Sequence, residues 1–297
     1  MEAQKKAYIY ALAAILCWST VATAFKIALN GMDFLHLLLI SSGVAMLFLA
    51  SILLYKSQLQ KAFRGKANDY LRSAGLGFFN PFLYYLVLLK AYSILPAQFA
   101  LSLNYIWPIS LVLLSIPLLK QKIGWQSILC IIVSFSGVLV IANRGSFSSI
   151  QTPDTFGVVL ALSSSLFWAL FWLYNVRDHR EEIEKLFLNF IFGFIYISIC
   201  MFLFSDFQIP DNKSILAAVY IGVVECGIAY VFWLKALKIT SSTDKISNLV
   251  FLSPFVSLLF VHLIIGESIY LSTLAGLTLI ILGIVLQKFI RKSNTIE

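Results

Sequence analysis

Charged residues are scarce in this chain. They make up 12% of its 297 residues, whereas 60% are hydrophobic and the mean hydropathy is +0.89. A soluble domain carries roughly 25% charged and about 45–50% apolar residues, so this chain has too few charges to cover a surface that faces water. The composition excludes a soluble enzyme and indicates a protein that lies in a lipid bilayer, where 25 Phe, 13 Tyr and 6 Trp suit the interior and the interfaces.

Motifs for catalysis and cofactor binding are also missing. The four cysteines, Cys17, Cys130, Cys200 and Cys226, lie in separate apolar runs and have no metal-ligand spacing. No glycine-rich nucleotide motif and no covalent-nucleophile signature occurs. The net charge of +8 is divided into short clusters between apolar runs, which does not fit a nucleic-acid-binding face. The sequence therefore predicts no enzyme, no cofactor, no metal and no nucleic acid, and it leaves the bilayer and a small-molecule substrate as partners.

Long apolar runs fill most of the chain, and a helix needs about 20 such residues to cross a bilayer. Glu225 is the one charged residue within the ten runs, which predict an all-α membrane protein with ten transmembrane helices. The first run exceeds the 7–15 residues of a signal-peptide core, so we expect a helix there rather than a cleaved leader. The runs cover residues 7–25, 34–55, 73–89, 97–119, 123–143, 155–176, 186–205, 214–234, 246–266 and 268–287.

The basic residues predict an orientation. If the N-terminus lies in the cytoplasm and the ten spans alternate, 18 of the 22 Lys and Arg residues fall in inside segments. Short cytoplasmic loops are enriched in Lys and Arg, so both termini are predicted to be cytoplasmic, in the cell (inner or plasma) membrane. Lys26 lies at the outer end of span one, where we expect its ammonium to reach the headgroups.

The two halves of the chain resemble each other at a nearly constant offset of 145 or 146 residues. The matched positions are 89–91 with 234–236 (Leu-Lys-Ala), Pro108 with Pro254, and Gly137 with Gly283. A repeat of five spans must insert its second copy upside down, so residues 7–142 and 155–288 are predicted to be two inverted five-helix repeats. This architecture recurs in secondary transporters, which bind substrate near the midplane between the halves.

These features resemble the EamA-type drug/metabolite transporters over nearly the whole chain. The resemblance is carried by Cys17-Trp18-Ser19-Thr20, the Leu-Lys-Ala pairs, the two prolines, Gly266-Glu267 and the late glycines. Asn104-Tyr105-Ile106-Trp107-Pro108 is similar to the Asn-Tyr-Leu-Trp-Pro segment of bacterial aromatic amino-acid exporters in this family, whereas the second half departs from that subgroup at Phe251-Leu252-Ser253-Pro254. The resemblance implies a secondary transporter that exports small metabolites, with amino acids as candidates, by alternating access.

Polar and aromatic residues within the spans are the candidate substrate-binding residues. Pro108 removes a hydrogen bond to the Asn104 carbonyl and is expected to kink the helix. Polar groups are expensive in hydrocarbon unless they face protein or water, but interhelical packing would satisfy them equally well. The candidates are Trp18, Asn80, Tyr84, Asn104, Tyr105, Trp107, Trp168, Glu225, Asn248 and Phe251.

Glu225 has a second predicted role because it is the one ionisable residue at mid-span, about 11 residues into the run at 214–234. A charge at the bilayer centre costs roughly 2.5–3.5 kcal/mol on insertion scales. We therefore expect it to face the cavity, on one helix face with Ile228 or Ala229 and Phe232, and either to bind a substrate ammonium or to exchange a proton. The alternative is a neutral Glu225 that hydrogen-bonds to a neighbouring helix.

Other readings of the sequence remain open. The same superfamily includes nucleotide-sugar carriers and importers, although a carrier of anionic solutes should show cationic residues at cavity depth. A non-transport subunit of a membrane assembly is a further alternative, while an intramembrane enzyme would need several polar groups at matching depth. Two loop features are read as structural: Glu267 is predicted to cap a helix, and residues 177–182 are predicted to be a solvated inside loop.

Overall fold

The computed structural model describes residues 2–119, 125–142, 154–175, 177–206, 209–240 and 249–293, and these residues form helices and loops without a strand. In the first part of the chain the helices are α1 (Glu2–Leu29), α2 (Phe34–Tyr55), α3 (Leu59–Ala62), α4 (Ala67–Gly77), α5 (Tyr84–Ile94), α6 (Ala97–Asn104), α7 (Trp107–Leu119) and α8 (Trp125–Ala142). In the second part they are α9 (Thr155–Asn175), α10 (Glu182–Phe204), α11 (Asn212–Tyr220), α12 (Tyr230–Ile239), α13 (Ser253–Phe260) and α14 (Leu271–Ser293).

Six helices of the described residues are long and apolar enough to cross a membrane. They cover Ala3–Leu29, Phe34–Tyr55, Ala67–Ile94, Thr155–Asn175, Glu182–Phe204 and Asn212–Trp233. Shorter apolar helical stretches follow at Ile128–Ile141, Val250–Ile265 and Leu271–Leu286. The all-helical fold is thus observed, while the ten-span count and the position of the termini stay predictions.

Several predicted spans are interrupted. Segments of π-helix join α4 to α5 (Phe78–Leu83), join α11 to α12 (Ile221–Ala229) and follow α13 (Val261–Ile265). The predicted span over 97–119, with its expected kink at Pro108, is divided into two helices, because α6 ends at Asn104 and α7 begins at Trp107. Pro108 lacks the N–H that would bond the Asn104 carbonyl, which accounts for a break at this point.

Pro254 does not kink a helix as its partner in the first half was expected to do. It occupies the first turn of α13, after a short 3₁₀ turn at Val250–Leu252. A proline is tolerated in a first turn because its missing N–H would have no intrahelical partner there. The two matched prolines therefore both lie just after the start of a helical segment.

The chain between α9 and α10 is less exposed than its charge predicts. Helix α10 begins at Glu182, four residues before the predicted span, and includes buried Glu184 and Lys185. These charges are tolerated because Lys61 pairs with Glu184 at 2.8 Å and Lys185 pairs with Glu182 at 2.7 Å. The prediction of a solvated loop over 177–182 was also wrong in part.

Asp178, in that loop, is buried beneath Arg180. The guanidinium donates to its carboxylate through Nη2 at 2.5 Å and Nε at 3.0 Å, and Nη2 also reaches the Ser73 hydroxyl at 2.8 Å. The pair therefore ties the α9–α10 connection to α4 in the first half of the chain. Burial by itself raises the pKa of the Asp178 carboxyl, but the hydrogen bonds and the positive charge of Arg180 outweigh it and hold that pKa below its ordinary value.

Helices of the two halves pack across each other. Helix α1 contacts α11, α12 and α13 of the second half, and α9 contacts α5, α6 and α7 of the first half. Helices α2 and α10 also pack together, as do α8 and α14. The first helix of each half thus lies against the later helices of the other half, and the space between them is where a site shared by both halves can form.

Candidate functional site

A cavity of about 370 Å³ lies between α1, α5, α6, α7, α9, α12 and the turn at Val250–Leu252. Its wall is mostly apolar and aromatic. Five of the six tryptophans of the chain line it, namely Trp18, Trp107, Trp168, Trp172 and Trp233. Ligand sites are typically concave, apolar and furnished with a few polar groups, and this cavity has that composition.

Most of the predicted site residues border this one space. Those in the wall are Trp18, Tyr84, Asn104, Tyr105, Trp107, Trp168, Glu225 and Phe251. Asn80 is buried behind the wall and does not line the cavity. Asn248 lies outside the described residues. The structure therefore places eight of the ten candidates together, while their role in substrate binding stays a prediction.

The aromatic rings form a connected layer around one side of the cavity. Trp168 lies 4.7 Å from Tyr84 and 6.1 Å from Tyr230 between ring centroids. Trp18 lies 6.4 Å from the same Tyr230, edge-on, and 5.4 Å from Trp233. These separations are those of favourable edge-to-face and offset ring pairs, so the tryptophans of α1 and α9 are held in place through a shared tyrosine.

Asn104 ends α6 at the cavity wall and also ties two helices together. Its amide nitrogen donates to the Ser164 hydroxyl of α9 at 2.8 Å, and its amide oxygen accepts from the Tyr84 hydroxyl at 3.5 Å. Nearby, Ser110 of α7 bonds Ser165 of α9 at 2.7 Å. The interhelical contact that the sequence left as an alternative is thus present, and the side chain borders the cavity as well.

Glu225 is the charged residue in the wall and lies in the π-helical segment before α12. It is buried, and its Oε1 accepts a hydrogen bond from the Tyr85 hydroxyl of α5 at 2.8 Å. The Cys226 thiol donates to the same tyrosine oxygen at 3.4 Å. Among the described residues no cationic side chain lines the cavity, so the carboxylate meets a neutral hydroxyl rather than a counter-ion.

A second tyrosine contact mirrors that pair. The Asn80 amide nitrogen donates to the Tyr230 hydroxyl at 3.1 Å. Asn80 stands 145 residues before Glu225, and Tyr85 stands 145 residues before Tyr230. The offset that relates the Leu-Lys-Ala segments therefore also relates these two hydrogen bonds, and each bond joins one half of the chain to the other.

Some cavity residues were not predicted from the sequence. Phe25, Tyr92, Trp172 and Trp233 line it, and the expected partner of Glu225, Phe232, does not. The π-helical segment explains the last difference, because each of its turns holds about one residue more than an α-turn. That shift aligns Glu225 with Trp233 instead. Trp172 lies one helical turn after the candidate Trp168, whereas no sequence signal distinguishes Phe25 and Tyr92 in an aromatic-rich chain.

Glu267 and Lys26 make polar contacts with helix ends near Phe25 and Tyr92 of the cavity wall. The Glu267 carboxylate accepts from the Ala97 N–H at 3.0 Å and the Gln98 N–H at 3.4 Å, which confirms its predicted role as a helix cap. Lys26 does not extend to the headgroups as predicted. Its ammonium donates to the carbonyls of Tyr92 at 2.6 Å and Leu95 at 2.5 Å, at the C-terminal end of α5, where a cation is favourable.

The polar groups of this region are few and of different kinds. No group of three or more His, Cys, Asp or Glu side chains that could hold a metal occurs among the residues that the structure describes. The wall of the cavity offers an amide, tyrosine hydroxyls, a carboxylate and broad aromatic surfaces. Such an arrangement can recognise a small solute with an apolar body and a polar or charged group.

Known proteins resemble this chain in sequence and in fold. An uncharacterized transporter of Acidianus ambivalens is 30% identical over 66% of this chain and 76% of its own length. An uncharacterized transporter of Clostridium kluyveri is 29% identical over 56% of this chain, and the chain spans only 55% of that relative's length. A third, from Bacillus subtilis, is 26% identical over 82% of this chain and 77% of its own length.

A solved crystal structure shares the fold, with a TM-score of 0.69 and 19% identity over 97% of this chain and 98% of the other. The model of the EamA-like transporter family matches twice, over residues 5–143 and 155–287. The two matches account for nearly the whole chain and meet at the connection between α8 and α9. The chain therefore belongs to the EamA-like transporter family, a family of membrane transporters and not of enzymes.

Proposed function

We propose that this protein is a secondary transporter that exports a small amphipathic metabolite by alternating access, with the aromatic cavity as its substrate site. Amino acids with apolar side chains are the first candidates, by the likeness of residues 104–108 to aromatic amino-acid exporters. The observation that carries the proposal is the cavity itself, which lies between helices from both halves and is lined by the amide of Asn104 and the carboxylate of Glu225.

The proposed architecture is ten spans in two inverted five-helix repeats, residues 7–142 and 155–288, with both termini cytoplasmic in the inner or plasma membrane. Reciprocal contacts support it. Asn80 bonds Tyr230 while Tyr85 bonds Glu225, and a two-fold relation between the halves would exchange these two bonds. Both bonds lie at segments of π-helix, Phe78–Leu83 and Ile221–Ala229, which occupy matching positions in the two halves.

Within this proposal the residues have different tasks. Trp18, Trp107, Trp168 and Phe251 hold the apolar body of the solute, and the remaining candidates at the wall supply polar contacts. Glu225 binds a substrate ammonium or exchanges a proton during the cycle. A carboxylate at this depth is expensive unless it has such a role or a partner, and Tyr85 is the one hydrogen-bond donor that reaches it from the described residues.

The alternatives fit the cavity less well. A nucleotide-sugar carrier would need cationic groups for an anionic solute, and the described wall has neither Lys nor Arg. A subunit without transport activity would have no use for a carboxylate beside an open cavity of this volume. An importer of the same solutes differs from an exporter only in the direction of the gradient, which the transport assay measures.

Uptake by vesicles that contain the purified protein tests the proposal. A panel of amino acids and amines should include at least one solute that accumulates above protein-free vesicles. Trp107→Ala and Asn104→Ala should each lower that uptake by about tenfold, which corresponds to roughly 1.4 kcal/mol of lost binding. Trp125→Ala is the matched control, because Trp125 is 69% exposed at the start of α8 and lies outside the cavity.

The alternative outcome is equally specific. If Trp107→Ala and Asn104→Ala melt at a lower temperature in detergent but transport normally when folded, both residues pack helices and do not bind substrate. If no solute accumulates in any vesicle while the protein is folded, the transport proposal is rejected.

A further inference from the structure

The charge of the cavity wall is one-sided. Its described residues include one carboxylate, Glu225, and no Lys, Arg or His. A zwitterionic amino acid would bring its own carboxylate into this space, where nothing cationic in the described wall would meet it. Burying an unpaired charge is far less favourable than burying a paired one. The described wall therefore offers a charged partner for a positive charge and no charged partner for a negative one.

The excess of negative charge in the wall arises at a position where the two halves of the chain differ. The two polar bonds behind and beside the wall are related by the same offset, but one contains an amide and the other a carboxylate. Asn80 is buried, donates to Tyr230 and does not reach the cavity, whereas Glu225 lines it. The halves thus share a scaffold, and among the described residues of these two bonds the charge beside the cavity is that of Glu225, in the second half.

Aromatic rings line the same cavity as that charge. Tyr84 packs against Tyr85 at 4.7 Å between centroids, and Tyr85 holds the Glu225 carboxylate. Trp18 and Trp168 line the cavity with the same carboxylate. The face of an aromatic ring attracts a cation, most strongly when both are removed from water, and rings in combination recognise quaternary ammonium groups.

We propose that the cavity selects an organic monocation with an aromatic or aliphatic body and no carboxylate, whose positive charge pairs with Glu225 between the rings of Trp18, Tyr84 and Trp168. This inference rests on the proposed transport through this site, and it replaces amino acids by a monocation as the substrate class. Tyr85 is a positioning residue, because its hydroxyl fixes one oxygen of the carboxylate and leaves the other for the cation. The cavity of about 370 Å³ accommodates a solute built on one aromatic ring.

Three solutes with one phenyl body separate the possibilities. Phenethylamine is a cation, phenylalanine adds a carboxylate to it, and 3-phenylpropionate carries only the carboxylate. Because five of the six tryptophans line the cavity, quenching of intrinsic fluorescence in the purified full-length protein reports binding. We expect phenethylamine to bind at least about tenfold more tightly than phenylalanine, and 3-phenylpropionate to bind weakest. Benzyltrimethylammonium, which has no N–H to donate, should bind as a cation too.

Matched variants test the assigned charge. Glu225→Gln should remove the preference for phenethylamine over phenylalanine while leaving a folded protein. Tyr85→Phe should reduce that preference. Tyr196→Phe is the control and should leave it intact, because it removes a hydroxyl that donates to the Ala74 carbonyl outside the cavity. The ratio of the two affinities is the readout, since a general loss of packing would weaken both ligands together. Thermal melting of each variant in detergent verifies that the protein is folded.

The outcomes distinguish this inference from the proposed function. If phenylalanine binds as tightly as phenethylamine, or if Glu225→Gln leaves the preference unchanged, the monocation class is wrong. Transport of phenylalanine into vesicles would then still support the proposed function. If phenethylamine binds through Glu225 but no solute crosses the membrane, the site is as described and the transport proposal fails instead. Absence of quenching by either cation at millimolar concentration overturns the inference.

Discussion

Gly137 in α8 and Gly276 in α14 bring two helix backbones into direct contact. A Cβ atom added at Gly137 would lie 2.4 Å from the Gly276 carbonyl oxygen and 3.0 Å from the backbone nitrogen of Ile280. Ordinary contact begins at 3.4 Å, so Gly137→Ala requires the helices to separate by about 1 Å, which forfeits a quarter to a half of each dispersion contact across the seam. Small residues at helix interfaces are the usual means of close packing within membranes.

The size of the effect follows from two opposing terms. Overpacking of a close interface typically costs about 1–3 kcal/mol, and replacing a helical glycine with alanine returns about 0.5–1 kcal/mol. Gly137→Ala should therefore destabilise the protein by about 1–2 kcal/mol. Gly75→Ala is the control, because Gly75 lies in α4 with nothing within 4 Å of the added Cβ, so only the favourable term remains.

The repeat adds a second expectation for the same seam. Gly283 stands 146 residues after Gly137, and Gly276 stands 146 residues after Cys130. A Cβ added at Gly283 would lie 2.6 Å from the Cys130 carbonyl oxygen, which is the contact related by the repeat to that of Gly137 with Gly276. Gly283→Ala should therefore lower the melting temperature in detergent about as much as Gly137→Ala. A Gly137→Ala protein that melts at the temperature of Gly75→Ala would refute the close approach, and a large effect at only one of the two seam glycines would refute the reciprocity.

Three further outcomes are expected. Glu267→Ala should lower the free energy of unfolding by about 1 kcal/mol, because the N-terminus of α6 loses its acceptor, and thermal melting measures it. The pKa of Asp178 is held below its ordinary value, so Asp178 stabilises the fold fully at a pH above that ordinary pKa. This contribution disappears as the pH falls through the lowered pKa, and Arg180→Gln should reduce the resulting dependence of the melting temperature on acid. Single cysteines at Ser57 and Ser148 in a cysteine-free background should react with an impermeant thiol reagent from opposite sides, with Ser148 labelled in intact cells; labelling from one side would contradict the inverted repeat.

Much of the fold is predictable from the chain because hydrophobic runs of this length have one physical outcome in a bilayer. The runs at 34–55 and 155–176 agree with α2 and α9 within a residue. The span over 186–205 was predicted too short, since a count of charges cannot anticipate that Lys61 would neutralise Glu184. The break after Asn104 was only partly foreseen, because Pro108 predicts a distortion but does not decide between a bend and a new helix.

The candidate site was predictable where a residue is unusual for its depth. Glu225 and Asn104 stand out because polar groups are expensive in hydrocarbon, and both border the cavity. Asn80 satisfies the same criterion yet bonds Tyr230 behind the wall. The free-energy cost of a polar side chain in lipid means that it needs a polar partner, but it does not specify which one. Trp233 was missed for a geometric reason, since the prediction assumed α-helical spacing through the π-helical segment at 221–229.

The two related tyrosine bonds show how two similar halves of a chain present different chemical groups. A symmetric pair of amides, or of carboxylates, would give the cavity equal walls from both halves. Here the offset preserves the tyrosines, Tyr85 and Tyr230, and changes their partners to Glu225 and Asn80. The tyrosines occupy matching positions, and of their two partners only Glu225 is a carboxylate that lines the cavity. A carboxylate placed by Asn80→Asp would therefore stay behind the wall and add no second cation site. In the part of the wall that the structure describes, the charge therefore belongs to the second half.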